Sequence, residues 1–167
     1  MDVGDWSHLV TGDDSEEVRD TFLVSLLSEA VTRDLPAGWQ GFYDQDRASS
    51  WFADRRNEGA VLFIADRSDR RPVGLLILAE SEITDVSRDI FLGYLIHESD
   101  WGRGLATEVV AGFADWCRTN GTVRSIVAGV TDSNAASARV LSKNGFVPVA
   151  TVAHPPDGVK YTLALVE

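Results

Sequence analysis

One segment constrains the fold more than any other: a strand-like stretch, residues 94–97, leads into a polar turn and then into a helix-like stretch. The turn holds two glycines one residue apart, Gly102 and Gly104. Apolar residues then recur at helical spacing, which predicts an amphipathic helix over about residues 103–119. Free backbone N–H groups converge where such a helix begins. The segment therefore indicates an anion-binding site.

The glycine pair alone fits a plain strand-to-helix turn equally well. Two other phosphate motifs are excluded, because the chain has no Gly-x-x-x-x-Gly-Lys-Ser/Thr and no third glycine that completes Gly-x-Gly-x-x-Gly. A second segment favours the anion site. It follows the strand-like residues 123–130, begins with Asn134 as a helix cap, and ends with Gly145 at the position of a helix C-cap.

Together the two segments resemble the GNAT superfamily of acyl-coenzyme A-dependent N-acyltransferases. Residues 101–106 are similar to its pyrophosphate signature Gln/Arg-x-x-Gly-x-Gly/Ala, with Gly104 and Ala106 at the two small positions. Trp101 replaces the usual Gln or Arg, which removes a polar contact and leaves the backbone to hold the pyrophosphate. The resemblance covers about residues 61–166 and is closest to the branch with the ribosomal-protein N-terminal acetyltransferases.

The resemblance implies an α+β fold, in which a mostly antiparallel, splayed central sheet of about six or seven strands is flanked by about four helices. The sequence pattern predicts the matching order β-α-α-β-β-β-α-β-α-β-β. At 167 residues and 44% hydrophobic, the chain is expected to form a single domain over residues 1–167. Predicted helices cover about residues 15–31, 46–57, 103–119 and 134–145, and predicted strands cover 6–10, 60–66, 72–80, 89–97, 123–130, 146–153 and 159–166.

The resemblance also implies acetyl-coenzyme A as the cofactor. In this family it lies where the strand ending at Ile96 parts from the strand 123–130, and its pantetheine pairs with the strand backbone. The implied cofactor-binding residues come from that strand end, the turn and the two helices: Leu95, Ile96, Trp101, Gly102, Arg103, Gly104, Leu105, Ala106, Thr107, Asn134, Ser137, Arg139 and Lys143. Arg139 and Lys143 either reach the adenosine phosphates or solvate a helix face.

Acyl transfer to an amine needs an oxyanion donor, a donor to the leaving thiolate and a route for the proton. The resemblance places the oxyanion donor at the backbone N–H of Ile96. Many relatives have a Tyr as thiolate donor seven residues after the Asn, but that position is Leu141 in this chain. Ser137 is the remaining hydroxyl at a motif position, for this role or for a structural one.

The base is harder to place, because Phe91 stands where relatives often have a Glu. Glu80 and His97 are the two main candidates, and the unperturbed pKa of histidine suits a base. Water-mediated deprotonation is consistent with the same residues. Three further candidates for the base lie near the ends of the central strands: Glu82, Asp89 and Glu98.

Charge and composition restrict the partners. A net charge of −11 argues against nucleic acid, which needs clustered Lys and Arg. Residues 1–60 hold 13 acidic against 5 basic side chains, a net −8. This excess suits a cationic acceptor or only aids solubility. No run of about 18 apolar residues and no leader pattern is present, so we expect a cytoplasmic protein without a membrane span.

Cysteine and histidine usage adds little chemistry. Cys117 is the single cysteine, which excludes an internal disulfide, and it is expected to be a packing residue. His8 and His154 are too scattered to indicate a metal site.

The sequence thus predicts an N-acetyltransferase that moves acetyl from acetyl-coenzyme A to a primary amine by direct attack in a ternary complex. The favoured acceptor is a small cationic amine or metabolite, and the alternative is the N-terminal amine of a protein or peptide. A non-catalytic acyl-coenzyme A sensor is the hypothesis of another class, suggested by Leu141 and Phe91. Monomer and homodimer both stay open.

Overall fold

The computed structural model describes residues 2–4, 15–80, 88–149 and 158–165, which form seven strands and five α-helices. The strands are β1 (Asp2–Gly4), β2 (Ala60–Ala65), β3 (Pro72–Glu80), β4 (Arg88–Ile96), β5 (Val123–Val130), β6 (Val147–Val149) and β7 (Val159–Ala164). The helices are α1 (Ser15–Leu26), α2 (Glu29–Thr32), α3 (Gln45–Glu58), α4 (Leu105–Asn120) and α5 (Ala135–Lys143). This confirms the predicted α+β fold with a mostly antiparallel sheet.

The chain divides into two compact units. The first unit contains Met1–Ile77 and Tyr94–Leu105, and the second contains Leu78–Gly93 and Ala106–Glu167. Strands β3 and β4 contribute residues to both units. The single-domain organisation stays a prediction.

In the first unit, β1 pairs with β2 in antiparallel register, with Val3 opposite Ile64. The next neighbours in the sheet are β3 and then β4. Its core is rich in aromatic and branched side chains, because α1 and α3 turn their apolar faces onto these strands. The buried cluster consists of Leu23, Leu26, Leu27, Tyr43, Ala48, Trp51, Phe52, Val61, Phe63, Leu75 and Leu95.

In the second unit, the first half of β4 pairs in parallel with β5, with Phe91 opposite Val127. Strand β5 pairs antiparallel with β7, which pairs antiparallel with β6. Helix α4 buries Val110 and Cys117 completely. Burial raises the pKa of the Cys117 thiol to about 11, which confirms its role as a packing residue.

Most predicted boundaries hold to within two residues, but the predicted helix over residues 15–31 is wrong as one element. Helix α1 ends at Leu26, and Ser28 then adopts an extended conformation with its hydroxyl accepting from the N–H of Val31 at 3.3 Å. This cap begins a new helix, since serine competes well for helix N-termini. The predicted strand 6–10 and residues 150–153 of another lie outside the described residues.

Within the described part of the chain, no helix combines the length and the apolar character needed to cross a membrane.

Candidate active site

The glycine turn lies between β4 and helix α4, as the sequence pattern predicts. Gly102 and Gly104 both have positive φ, 77° and 78°. A side chain is strained in that left-handed region, so glycine is strongly favoured at both positions. A Cβ built on either residue meets no described atom within 4 Å, so the space above the turn is open.

Helix α4 starts immediately after this turn. Its first residue is Leu105, and the residue before it, Gly104, has no side-chain oxygen with which to cap the helix. The first four N–H groups of an α-helix lack partners within the helix, and the helix dipole puts positive charge there. Glycine turn and helix start therefore present backbone donors to an anion.

Trp101 makes a contact that the sequence did not predict. Its indole N–H donates to the carbonyl oxygen of Ile96 at 2.8 Å, while about half of the side chain stays exposed. The N–H of His97 in the same peptide group donates to the carbonyl of Val73 at 2.8 Å. The peptide that ends β4 is therefore fixed at both its polar atoms.

A buried carboxylate lies directly before the turn. Asp100 is 3% exposed and accepts two hydrogen bonds of 2.8 Å from the guanidinium of Arg71. Arg103 donates to the same carboxylate. The bidentate Arg71 contact, assisted by Arg103, lowers the pKa of Asp100 to about 2. Asp100 is therefore a structural anion at neutral pH and no proton carrier.

Arg103 also reaches a second carboxylate. Its guanidinium donates to Asp66 at 2.7 Å. The N–H and hydroxyl of Ser68 bond the Asp66 carboxylate, and together with Arg103 they hold its pKa well below the usual range. The Arg103 side chain, predicted to hold cofactor, is thus occupied by Asp66 and Asp100.

His97 caps the short 3-10 turn Glu98–Asp100. Its Nδ1 accepts from the backbone N–H of Ser99 at 3.2 Å and lies 2.9 Å from the Ser99 hydroxyl oxygen. Accepting at Nδ1 favours the neutral tautomer with its proton on Nε2. In that tautomer the outer nitrogen donates a proton, whereas a base must accept one.

In the second unit, the structure confirms the predicted cap of α5. The side-chain oxygen of Asn134 accepts from the N–H of Ser137 at 3.0 Å. The other end of the helix closes with the two bonds of a Schellman motif, Phe146 N–H to Leu141 and Gly145 N–H to Ser142, both 3.1 Å. Gly145 takes the left-handed φ of 81° that this motif requires.

The rest of α5 separates into a buried and an exposed face. Leu141 is 0% exposed, so the position where many relatives have a Tyr is a core position in this chain. Arg139 and Lys143 are exposed. Asn144, directly after the helix, donates to the carbonyl of Thr107 in the first turn of α4 at 3.3 Å.

The acidic candidates of the second unit are engaged in ion pairs. Glu80 accepts from Arg88 at 2.6 Å. Asp89 accepts from Arg124 and from the hydroxyl of Ser125, and the Arg124 contacts lower its pKa. Glu82 lies outside the described residues.

Phe91 replaces the expected carboxylate and is 42% exposed. The ammonium of Lys160 lies 5.6 Å from the centre of its ring, within the range of a cation–π contact. The position where the resemblance implies a Glu thus carries an aromatic ring with a cation beside it.

Comparison with known proteins identifies the family to which the chain belongs. The model of the GNAT acetyltransferase domain matches residues 13–147, most of the chain. The chain belongs to the GNAT acetyltransferase family. No curated protein sequence matches it.

Solved GNAT structures share the fold at low sequence identity. A GNAT acetyltransferase from Bacillus anthracis superposes with a TM-score of 0.71 at 13% identity, over 89% of this chain and 90% of that one. The ribosomal-protein-alanine N-acetyltransferase of Brucella melitensis gives 0.64 at 19%, over 89% and 96%. The yncA protein of Salmonella typhimurium, solved with its cofactor acetyl-coenzyme A, gives 0.64 at 21%, over 100% and 95%.

GNAT acetyltransferases use acetyl-coenzyme A, and the residues of this chain fit that cofactor on two observations. Among the described residues, no atom lies within 4 Å of a Cβ built on Gly102 or Gly104, which leaves room for a ligand atom. The turn delivers the chain into a helix start whose preceding residue cannot cap it. Among the predicted cofactor residues, Leu95, Ile96 and Trp101 to Leu105 come together in the first unit, while Ala106, Thr107, Asn134, Ser137, Arg139 and Lys143 belong to the second.

Three residues around the glycine turn were not predicted from the sequence: Asp66, Arg71 and Asp100. Their pairings join positions 29 and 37 residues apart. No periodicity connects such positions, so charge pairing across a fold leaves no local pattern. The available signal was modest: the hairpin loop 66–71 and the turn 98–104 carry charges of both signs.

Proposed function

We propose that this GNAT protein transfers the acetyl group of acetyl-coenzyme A to a primary amine, which attacks the thioester directly in a ternary complex. One observation carries the proposal: the left-handed glycines 102 and 104 lead into the first turn of α4. This arrangement suits a diphosphate, because backbone donors and the helix dipole act on the same anion. The family assignment supports the same donor.

The binding roles follow from these donors. Backbone N–H groups of residues 102–107 hold the diphosphate, and the backbone of Leu95 and Ile96 pairs with the pantetheine. Asn134 contributes its amide N–H to the pantetheine, because its oxygen is already used to cap α5. The exposed Arg139 and Lys143 are free to follow the adenosine phosphates.

The cofactor supplies an activated thioester when bound. The chain must supply donors to the oxyanion and to the thiolate. We assign the first to the backbone N–H of Ile96, whose neighbouring peptide is fixed by Trp101 and Val73. We assign the second to Ser137, because the buried Leu141 has no donor.

Glu80 and His97 remain the two proposed proton acceptors, and for each of them an existing hydrogen bond opposes that role. Glu80 must leave or share its ion pair with Arg88, and His97 must change tautomer at its cap. The variants Glu80→Gln and His97→Gln separate them. Loss of the acidic limb of the pH–rate profile identifies the base, and retention of that limb in both variants assigns proton removal to water.

We propose a small cationic amine as the acceptor. The support is the concentration of acidic residues in positions 1–60, which attracts a cation over several ångströms. A protein N-terminus is the competing acceptor, as the name of the Brucella melitensis relative states for that protein. A peptide that begins with alanine therefore belongs in any acceptor screen.

Thiol release from acetyl-coenzyme A tests the function directly. The purified chain is incubated with polyamines, aminoglycosides, amino-acid amides and an alanine peptide, and free thiol is followed over time. Saturable release with at least one amine supports the enzyme, and the responding class names the acceptor. Tight coenzyme A binding without thiol release on any amine would contradict the enzyme hypothesis and favour the sensor hypothesis.

A further inference from the structure

Four charged residues of the first unit form a closed circuit, which we call the ion-pair ring: Asp66, Arg71, Asp100 and Arg103. Arg71 bonds Asp100, Arg103 bonds both Asp100 and Asp66, and the N–H of Asp66 donates to the carbonyl of Arg71 at 2.9 Å. Side chains thus make three connections and the backbone makes the fourth.

The ring joins two pieces of chain. Asp66 and Arg71 are the two ends of the loop between β2 and β3, where their backbone bond closes the hairpin. Asp100 and Arg103 lie before and within the glycine turn. The turn is therefore attached at two points, on either side of Gly102, to the hairpin loop that joins β2 and β3.

Two features indicate that the ring positions the turn. It holds two positive and two negative charges, so it offers no net charge to an anion. Its key acceptor, Asp100, is almost completely buried, and planar bidentate contacts such as that with Arg71 restrict orientation more than single bonds do.

The turn needs such support because glycines lose the most conformational freedom on ordering. With Gly102 and Gly104 unrestrained, a ligand would have to order both on binding and would lose affinity. In a turn that is held in place, the N–H groups are already oriented towards the ligand before it binds.

We propose that the ion-pair ring preorganises the glycine turn for the diphosphate of coenzyme A, with Asp100 as the central positioning residue; this rests on the proposed function. Arg103 acts through the two carboxylates, with no contact between its guanidinium and the diphosphate. Asp66 contributes less to this positioning than Asp100, because its ion pair with Arg103 is more exposed.

The experiment is a calorimetric titration of coenzyme A into the wild type and Asp100→Asn, below the melting range of both. Loss of the charged acceptor is expected to weaken binding about tenfold. Two controls accompany it. Asp115→Asn removes an exposed acid paired with Arg118, and Val61→Ala destabilises the core without touching the ring. Both are expected to keep the wild-type dissociation constant.

A multiple-variant comparison separates positioning from direct contact. If Arg103 acts through Asp66 and Asp100, Arg103→Met is expected to weaken binding little further when it is added to the double variant Asp66→Asn/Asp100→Asn. Additive losses would assign Arg103 to the diphosphate and overturn the positioning role.

The wild type and the single variants also distinguish failure of the proposed function from failure of the positioning role. A wild type that does not bind coenzyme A defeats the proposed function itself. A wild type that binds, together with an Asp100→Asn variant that binds equally well, defeats only the role of the ring.

Discussion

The indole N–H of Trp101 donates to the carbonyl of Ile96, five residues earlier, at 2.8 Å. The side chain at the first position of the pyrophosphate signature therefore folds back onto the strand. In place of the polar contact that a Gln or Arg would make, Trp101 makes a hydrogen bond that fixes the end of β4. Trp101 thus connects the two backbone segments that the proposal gives to pantetheine and diphosphate.

Replacement of Trp101 by Phe tests this connection. The ring keeps most of its packing, but the bond to Ile96 is lost, and we expect about 1 kcal/mol less stability to urea. Coenzyme A binding is expected to weaken as well, because the strand end is no longer fixed. Trp116→Phe is the matched control, since Trp116 is a half-exposed indole on α4. Equal stability and affinity in both variants would show that the indole bond contributes nothing.

Asp100 gives a prediction about acid stability. Its folded pKa of about 2 lies below the ordinary aspartate value of 3.8, so its contribution to stability is present in full above pH 3.8. The contribution falls as pH drops towards the folded pKa. We expect Asp100→Asn to cost about 2 kcal/mol at pH 7 and distinctly less at pH 3, by urea unfolding. A cost that stays constant between the two pH values would mean that the charge of Asp100 is not what stabilises the fold.

Ser137 gives a prediction about catalysis. Ser137→Ala is expected to lower kcat by roughly tenfold or more, with little change in the coenzyme A dissociation constant, because a donor to the leaving thiolate acts late in the reaction. Ser142→Ala, an exposed serine on the same helix, is the control. If Ser137→Ala keeps full kcat, the hydroxyl is structural and the thiolate donor lies elsewhere.

The elements of the fold could be predicted where local physics determines them. Asn134 and Gly145 bracket α5 as expected, because a cap and a left-handed glycine act within a few residues. The break at Ser28 was missed since apolar spacing continues across it to Val31. Periodicity reports which face is buried and is insensitive to a two-residue interruption of the helix.

The site could be predicted only in its backbone part. The left-handed conformations of Gly102 and Gly104 are permitted by their residue type, which the sequence shows directly. The destination of the Arg103 side chain does not, because it depends on Asp66 and Asp100 meeting it in space. For the same reason the ion pairs of Glu80 and Asp89 emerged only from the structure.

The most direct test of the central claim is a titration of acetyl-coenzyme A into the wild type, Gly104→Val and Gly112→Ala. A β-branched residue is strained at the positive φ of Gly104 and brings atoms into the open space above the turn. Gly112 lies within α4 with open space at its Cβ, so alanine is expected to stabilise that helix by up to about 1 kcal/mol. We expect one saturable site in the wild type and in Gly112→Ala, and no measurable binding in Gly104→Val. Undiminished binding by folded Gly104→Val would contradict the assignment of the glycine turn to the cofactor.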